Sequence, residues 1–169
     1  MINRPMFLLP GLLTVVSMGA SAEPLELESR FDSSEVDWVM QPGSATVSGT
    51  ASIRLETGEQ KGCGGFHVEL LPAADYANER IFRTYGNNDQ GQILMSQDPP
   101  SFTPDAKAYH ELNLSAPCNE DNRFEFLQVP AGDYYAIGFI IWSEGDTKKG
   151  GGVMKRIRVT EGESLVVDI

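Results

Sequence analysis

The chain has 169 residues, 41% of them hydrophobic, which is enough for one domain and short of two. It carries 24 acids against 13 bases, a formal charge of −11, and so acidic a balance excludes a nucleic-acid binder, which needs cations to displace phosphate counterions. Two His and two Cys cannot build a four-ligand zinc site without borrowing carboxylates.

The first element is a processing segment. A basic start at Arg4 precedes an apolar run, Met6 to Val16, of signal-peptide length and well below the ~20 residues of a membrane span. Ala20-Ser21-Ala22 follows as a small-x-small cleavage pattern, so residues 1–22 are expected to be removed near Ala22 and the product exported, periplasmic or extracellular. Losing this segment removes one base and no acid, which takes the charge from −11 to −12. No apolar run of spanning length remains in the mature chain. Cys63 and Cys118 are the only cysteines, and an even count in an oxidising compartment predicts a disulfide.

Residues 23–43 are acidic, with Val36-Asp37-Trp38-Val39-Met40 as a candidate edge strand. From residue 44 onward the chain alternates with period two. Val47, Gly49, Ala51, Ile53 and Leu55 share one face, and Thr46, Ser48, Thr50, Ser52 and Arg54 share the other. After a turn at Thr57 to Gly62, Phe66, Val68 and Leu70 alternate with His67 and Glu69, and Pro72 ends the strand. Residues 73–122 form a long excursion rich in Asn, Asp, Ser and Pro, with one short helical turn over Tyr76–Arg83. An excursion of that length is functional or has structure of its own.

Phe124 and Phe126 then flank Glu125, and Val129 to Asp133 makes a tight turn. Tyr134 to Trp142 is the longest apolar run and reads as a central strand. Its Tyr135, Ile137, Phe139 and Ile141 face is expected to be the core, and its Tyr134, Ala136, Gly138, Ile140 and Trp142 face is expected to be covered as well. Ser143 to Gly152 reads as a polar hairpin tip. Val153, Ile157 and Val159 point inward opposite Arg156 and Arg158, and Leu165, Val167 and Ile169 close the last strand, with Asp168 outward. Short strands separated by turns predict an all-β, two-sheet antiparallel β-sandwich of about seven strands.

Three segments carry a resemblance: Gly49 to Ile53, Gly65 to Pro72, and Phe124 to Tyr134 with its Pro130-Ala131-Gly132-Asp133-Tyr134 turn. Over about residues 44–169 the chain resembles the carboxypeptidase regulatory-like family, the prealbumin-like or Cna-B-type sandwich of Ig-like architecture. The resemblance implies a non-catalytic stalk, attachment or binding module, with the Tyr134 ring capping the sandwich end and its hydroxyl bonded to the backbone. It carries no function by itself.

No residues stand out as catalytic, and neither a cofactor nor a metal is expected. His67 and His110 lack the acid three residues on that a zinc peptidase pair requires, and no G-x-S-x-G surrounds a serine. The acidic groups Asp32, Glu35 and Asp37, and Asn119 to Asn122, do not follow a calcium-loop pattern. Aromatic residues are the remaining lead. Trp38, Tyr134 and Trp142, with Tyr85, Phe102 and Tyr109 from the excursion, are the candidate ligand surface for a protein, peptide or carbohydrate. A carboxylate-based hydrolase and a calcium- or isopeptide-stabilised adhesin-type domain are the alternative readings.

Overall fold

The computed structural model describes residues 23–169, so the candidate signal peptide, 1–22, lies outside the described residues. In chain order the strands are β1 (Leu25–Glu26), β2 (Ala45–Thr50), β3 (Ser52–Arg54), β4 (Gln60–Gly62), β5 (His67–Pro72), β6 (Gln90–Leu94), β7 (Phe102–Thr103), β8 (Leu114–Pro117), β9 (Arg123–Val129), β10 (Gly132–Glu144), β11 (Thr147–Val159) and β12 (Ser164–Asp168). Two helices, α1 (Asp75–Tyr85) and α2 (Lys107–Glu111), belong to the excursion.

The chain is mostly strand, in open sheets that fit an all-β sandwich. One sheet has five strands in the order β6-β11-β10-β5-β8, and the other has three, β12-β2-β9. Their inner faces meet in one apolar core that includes Val47, Phe124, Phe126 and Val167 from the small sheet. The large sheet supplies Val68, Leu70, Tyr134, Ala136, Ile140, Val153 and Ile157. The alternation of Val47, Ala51 and Ile53 is realised as read, all three being fully buried. At Gly138 a Cβ would stand 3.0 Å from the Ala51 Cβ of the facing layer, so the missing side chain lets the two layers approach.

The pairing departs from expectation in two respects. The two principal sheets hold eight strands rather than seven, and β12 runs parallel to β2. A strand with one buried face has the same alternation in either direction, so the period could not give the orientation.

The inner and outer faces of β10 also correct the reading. The strand is central, between β5 and β11. However, its Tyr134, Ala136 and Ile140 face is the sandwich core, while Tyr135 and Ile137 belong to a second apolar cluster on the outer side of the sheet. There α1 lays Tyr76, Ala77 and Ile81 over Leu71, Tyr135, Ile137 and Met154. The helix stops at Gly86, which takes φ 79° as a left-handed cap. Beyond the reach of α1, Phe139 and Ile141 are each 41% exposed rather than core. Both faces of the strand are apolar because both are covered along its first half.

The stretch expected to be a ten-residue hairpin tip is mostly strand. β10 and β11 pair continuously from Gly132↔Val159 to Glu144↔Thr147, with a two-residue turn at Gly145 (φ 59°) and Asp146. Gly150-Gly151-Gly152 is therefore ladder, not loop. A Cβ on Gly152 would lie 2.7 Å from the Tyr85 hydroxyl, one on Gly150 2.8 Å from Met95 Sδ, and one on Gly151 would meet the Ile93 carbonyl. The three glycines give the excursion its seat on the sheet.

Val36–Met40 is not an edge strand. Residues Ser33–Glu35 and Asp37–Met40 are 3-10 turns: Asp32 Oδ1 accepts the Ser34 N–H, and the Trp38 indole N–H donates to the Glu35 carbonyl. These local bonds outcompete an alternation only five residues long. The turns plug the sandwich end, where Trp38 packs edge-on against Tyr134 with ring centroids 5.4 Å apart.

Cys63 and Cys118 form the disulfide, with Cα atoms 5.7 Å apart. It joins the approach to β5 with the exit of β8, the neighbouring antiparallel strand, and thereby fastens the far end of the excursion to the large sheet.

Candidate binding sites

The six aromatic residues of the candidate surface separate into three places. Tyr134 is fully buried and lies on no surface. Its hydroxyl donates to the Pro130 carbonyl at 2.9 Å, and burial pushes its pKa up. Trp38 covers it, so this pair closes the sandwich end rather than presenting a platform. Trp142 lies eight residues along the same strand, about 26 Å away at ~3.3 Å per residue, at the opposite end. Tyr85, Phe102 and Tyr109 come together on the outer face of the large sheet.

Trp142 lines a pocket that exists because the hairpin overhangs the sandwich. β5 pairs with β10 only over Tyr134–Gly138, and β6 pairs with β11 only over Gly151–Lys155. The last turn of the ladder therefore projects past both neighbours. Lys149 stands opposite Trp142 and Thr147 opposite Glu144, so these four share the inner face with no facing strand. Leu55 and Glu56 close one side, and Leu94, Met95 and Ser96 another, around a cavity of about 450 Å³. Its floor is apolar (Leu55, Leu94, Met95 and Trp142), and its rim carries two lysines, two glutamates, a serine and a threonine. Lys149 Nζ lies 3.9 Å from Glu144 Oε2. The Trp142 indole N–H is buried without a hydrogen-bond partner.

The second concavity, about 220 Å³, lies between α1, α2 and the outer face of β5 and β10. Its walls include Tyr85, Phe102, Tyr109 and Phe139, and its polar groups are Glu69, Arg80, Thr84, His110 and Asn113. Arg80 organises the wall. Its guanidinium carbon sits 4.5 Å from the Phe102 ring centroid and 4.7 Å from that of Tyr109, and Nη1 reaches Asp105 Oδ1 at 2.7 Å. The Tyr76 hydroxyl donates to the Pro104 carbonyl (2.7 Å) and accepts from Arg80 Nη1 and the Ala106 N–H, which pins the 104–106 turn to α1. Burial opposes ionisation of Asp105, but the His110 bond and the Arg80 charge outweigh it and hold its pKa down. Burial pushes the Tyr85 hydroxyl up to about 12 and raises Tyr109 also.

In the groups weighed for calcium, two side chains serve turns. Asp32 caps Ser34, and the Asn119 side chain accepts the Asp121 and Arg123 N–H groups. Among the described residues no three His, Cys, Asp or Glu side chains gather as a metal site. Arg80, Glu69, Phe139 and the Leu94–Ser96 segment escaped the sequence reading. Of these only Phe139, in a long apolar strand, carries a signal, and alternation assigns it to the core.

No protein-family model matches the chain, and no curated protein matches it. Among solved structures it is similar in fold to a proposed carbohydrate binding protein from Pseudomonas aeruginosa. The TM-score is 0.68 at 20% identity, over 83% of this chain and 97% of the other.

Proposed function

We propose that this chain is an exported, non-catalytic carbohydrate-binding module of the carboxypeptidase regulatory-like sandwich type, and that the Trp142 pocket takes the sugar. The observation that carries the reading is the pocket's composition: one partly buried indole and three apolar side chains under a rim of matched Lys and Glu with Ser96 and Thr147. A pyranose has one apolar face for the indole and a ring of hydroxyls, which ammonium, carboxylate and hydroxyl groups recognise together. The fold likeness to a proposed carbohydrate binding protein is compatible with this. Residues 1–22 support export, and the Tyr134–Pro130 bond in the Pro-Ala-Gly-Asp-Tyr turn supports the family resemblance.

One observation favours a second reading. Glu56 and Glu144 line the same pocket, and paired carboxylates are the equipment of glycoside hydrolysis. Such chemistry needs one carboxyl withdrawn from water, whereas the Glu144 side chain is 69% exposed. Titration calorimetry against neutral oligosaccharides, following a glycan array, tests the proposal. Trp142→Ala is expected to weaken binding at least tenfold with the fold intact by circular dichroism. Unchanged binding by this variant removes the pocket from the reading, and turnover of aryl glycosides by the wild-type protein replaces it with the hydrolase.

A further inference from the structure

The groove on the outer face holds a combination of groups that the Trp142 pocket lacks. Glu69 lines it, and among the described residues the one basic group within ion-pair range is the His67 imidazole, 3.4 Å from Oε1. The groove's own guanidinium, Arg80, is already committed to Asp105 and to the Phe102 and Tyr109 rings. Beside Glu69 the Phe139 ring is 41% exposed, with the His67 imidazole tilted against it at 5.8 Å between ring centroids, whereas Tyr135 and Ile137 nearer the start of the strand are buried under α1. Asn113 and His110 complete the rim, and the His110 side chain is 51% exposed.

A carboxylate paired only with an imidazole, beside a partly exposed aromatic ring, attracts an organic cation. The negative face of the ring and the carboxylate act together on a positive charge. The chain's overall charge of −11 draws a cation toward the surface and disfavours an anion. The groove's volume, about 220 Å³, is of single-ring size, and the flanking amide and imidazole suit hydroxyl groups.

We propose that this groove is a second binding site, separate from the Trp142 pocket, and that it takes an amino sugar with a free protonated amine. The ammonium pairs with Glu69, the apolar face of the pyranose covers Phe139, and the hydroxyls meet Asn113 and His110. The proposal does not depend on the Trp142 site.

Amide chemical-shift titrations with D-glucosamine, D-glucose, N-acetyl-D-glucosamine and n-butylamine test it. Glucosamine is expected to perturb residues around Glu69, Asn113 and Phe139 and to bind at least tenfold more tightly than each of the other three. Glu69→Gln, which keeps the shape and removes the charge, is expected to abolish that preference. Phe139→Ala, at an exposed position, is expected to weaken binding several-fold, and Trp142→Ala to leave it unchanged. Equal binding of glucose and glucosamine, or an unaffected Glu69→Gln protein, overturns the proposal. Equal binding of n-butylamine overturns its sugar component. Loss of glucosamine binding in Trp142→Ala shows that the ligand occupies the other pocket and overturns the separate site.

Discussion

Glu79 offers a direct test of how the N-terminal segment is held. This α1 side chain accepts the Glu28 N–H at 3.1 Å, the Ser29 N–H at 2.8 Å and the Ser29 hydroxyl at 2.5 Å. Those donors, led by the Ser29 hydroxyl, lower its pKa from 4.5 to about 2. A carboxyl ionising near 2 instead of 4.5 corresponds to a ceiling of about 3.4 kcal/mol; discounted for solvent screening, about 1–2 kcal/mol remains. That energy acts on a strap rather than on the whole sandwich. Among the described residues β1 pairs only with β7, while Leu27 is buried against α1 and Phe31 packs edge-on to Tyr76 and Tyr109.

Glu79→Ala is therefore expected to open the strap locally. The Leu25 and Leu27 amides, which donate to the Ser101 and Thr103 carbonyls, should exchange with solvent roughly 5- to 30-fold faster, the factor for 1–2 kcal/mol. Amides of β10 should keep their protection. The sign of the pH dependence follows from a depressed carboxyl. Its contribution is complete above about pH 4.5 and fades as pH falls toward 2, so wild-type strap protection should decline over that window while the variant's stays flat. Unchanged Leu25 and Leu27 exchange in Glu79→Ala, or an equal acceleration in β10, refutes the account.

Two further outcomes are expected. Replacing Cys63 and Cys118 with Ser opens a loop of 55 residues and should lower unfolding free energy by about 4 kcal/mol on a chain-entropy model; a shift under 1 kcal/mol in denaturant titrations would mean the excursion is held by its own packing. Ile140→Asp should abolish the folded state, because the side chain is fully buried, whereas Phe139→Asp should stay folded within about 1 kcal/mol; the reverse order by thermal melting would restore Phe139 to the core.

The sandwich was legible wherever one face of a strand is dry and the other wet. Val47, Ala51 and Ile53 opposite Ser48, Ser52 and Arg54 sort correctly because water contact alone distinguishes them. The same rule fails on β10, where Tyr135 and Ile137 are as apolar as Tyr134 and Ala136. Which face meets the other sheet and which meets a helix is decided by α1, fifty residues earlier. The sequence predicts only a single turn where α1 stands, because its apolar stripe is irregular. Tyr76, Ala77, Ile81 and Tyr85 do recur at helical spacing, but Tyr85 buries its ring over Gly91 and Gly152, partners that announce themselves as loop residues.

The candidate sites fall where that failure is greatest. Both cavities are made by something other than alternation: the Trp142 pocket by a hairpin that outruns its neighbours, the Glu69 groove by a helix that stops short of the strand's end. A strand of 13 residues facing one of six must leave part of its inner face uncovered, and an 11-residue helix, about 16 Å long, cannot shield a 13-residue strand of about 43 Å. The exposed Phe139 on one face and the partly buried Trp142 on the other lie in this same unshielded half of β10. Differences in element length thus create both surfaces, and the residues that matter there follow from where covering elements end rather than from any local motif.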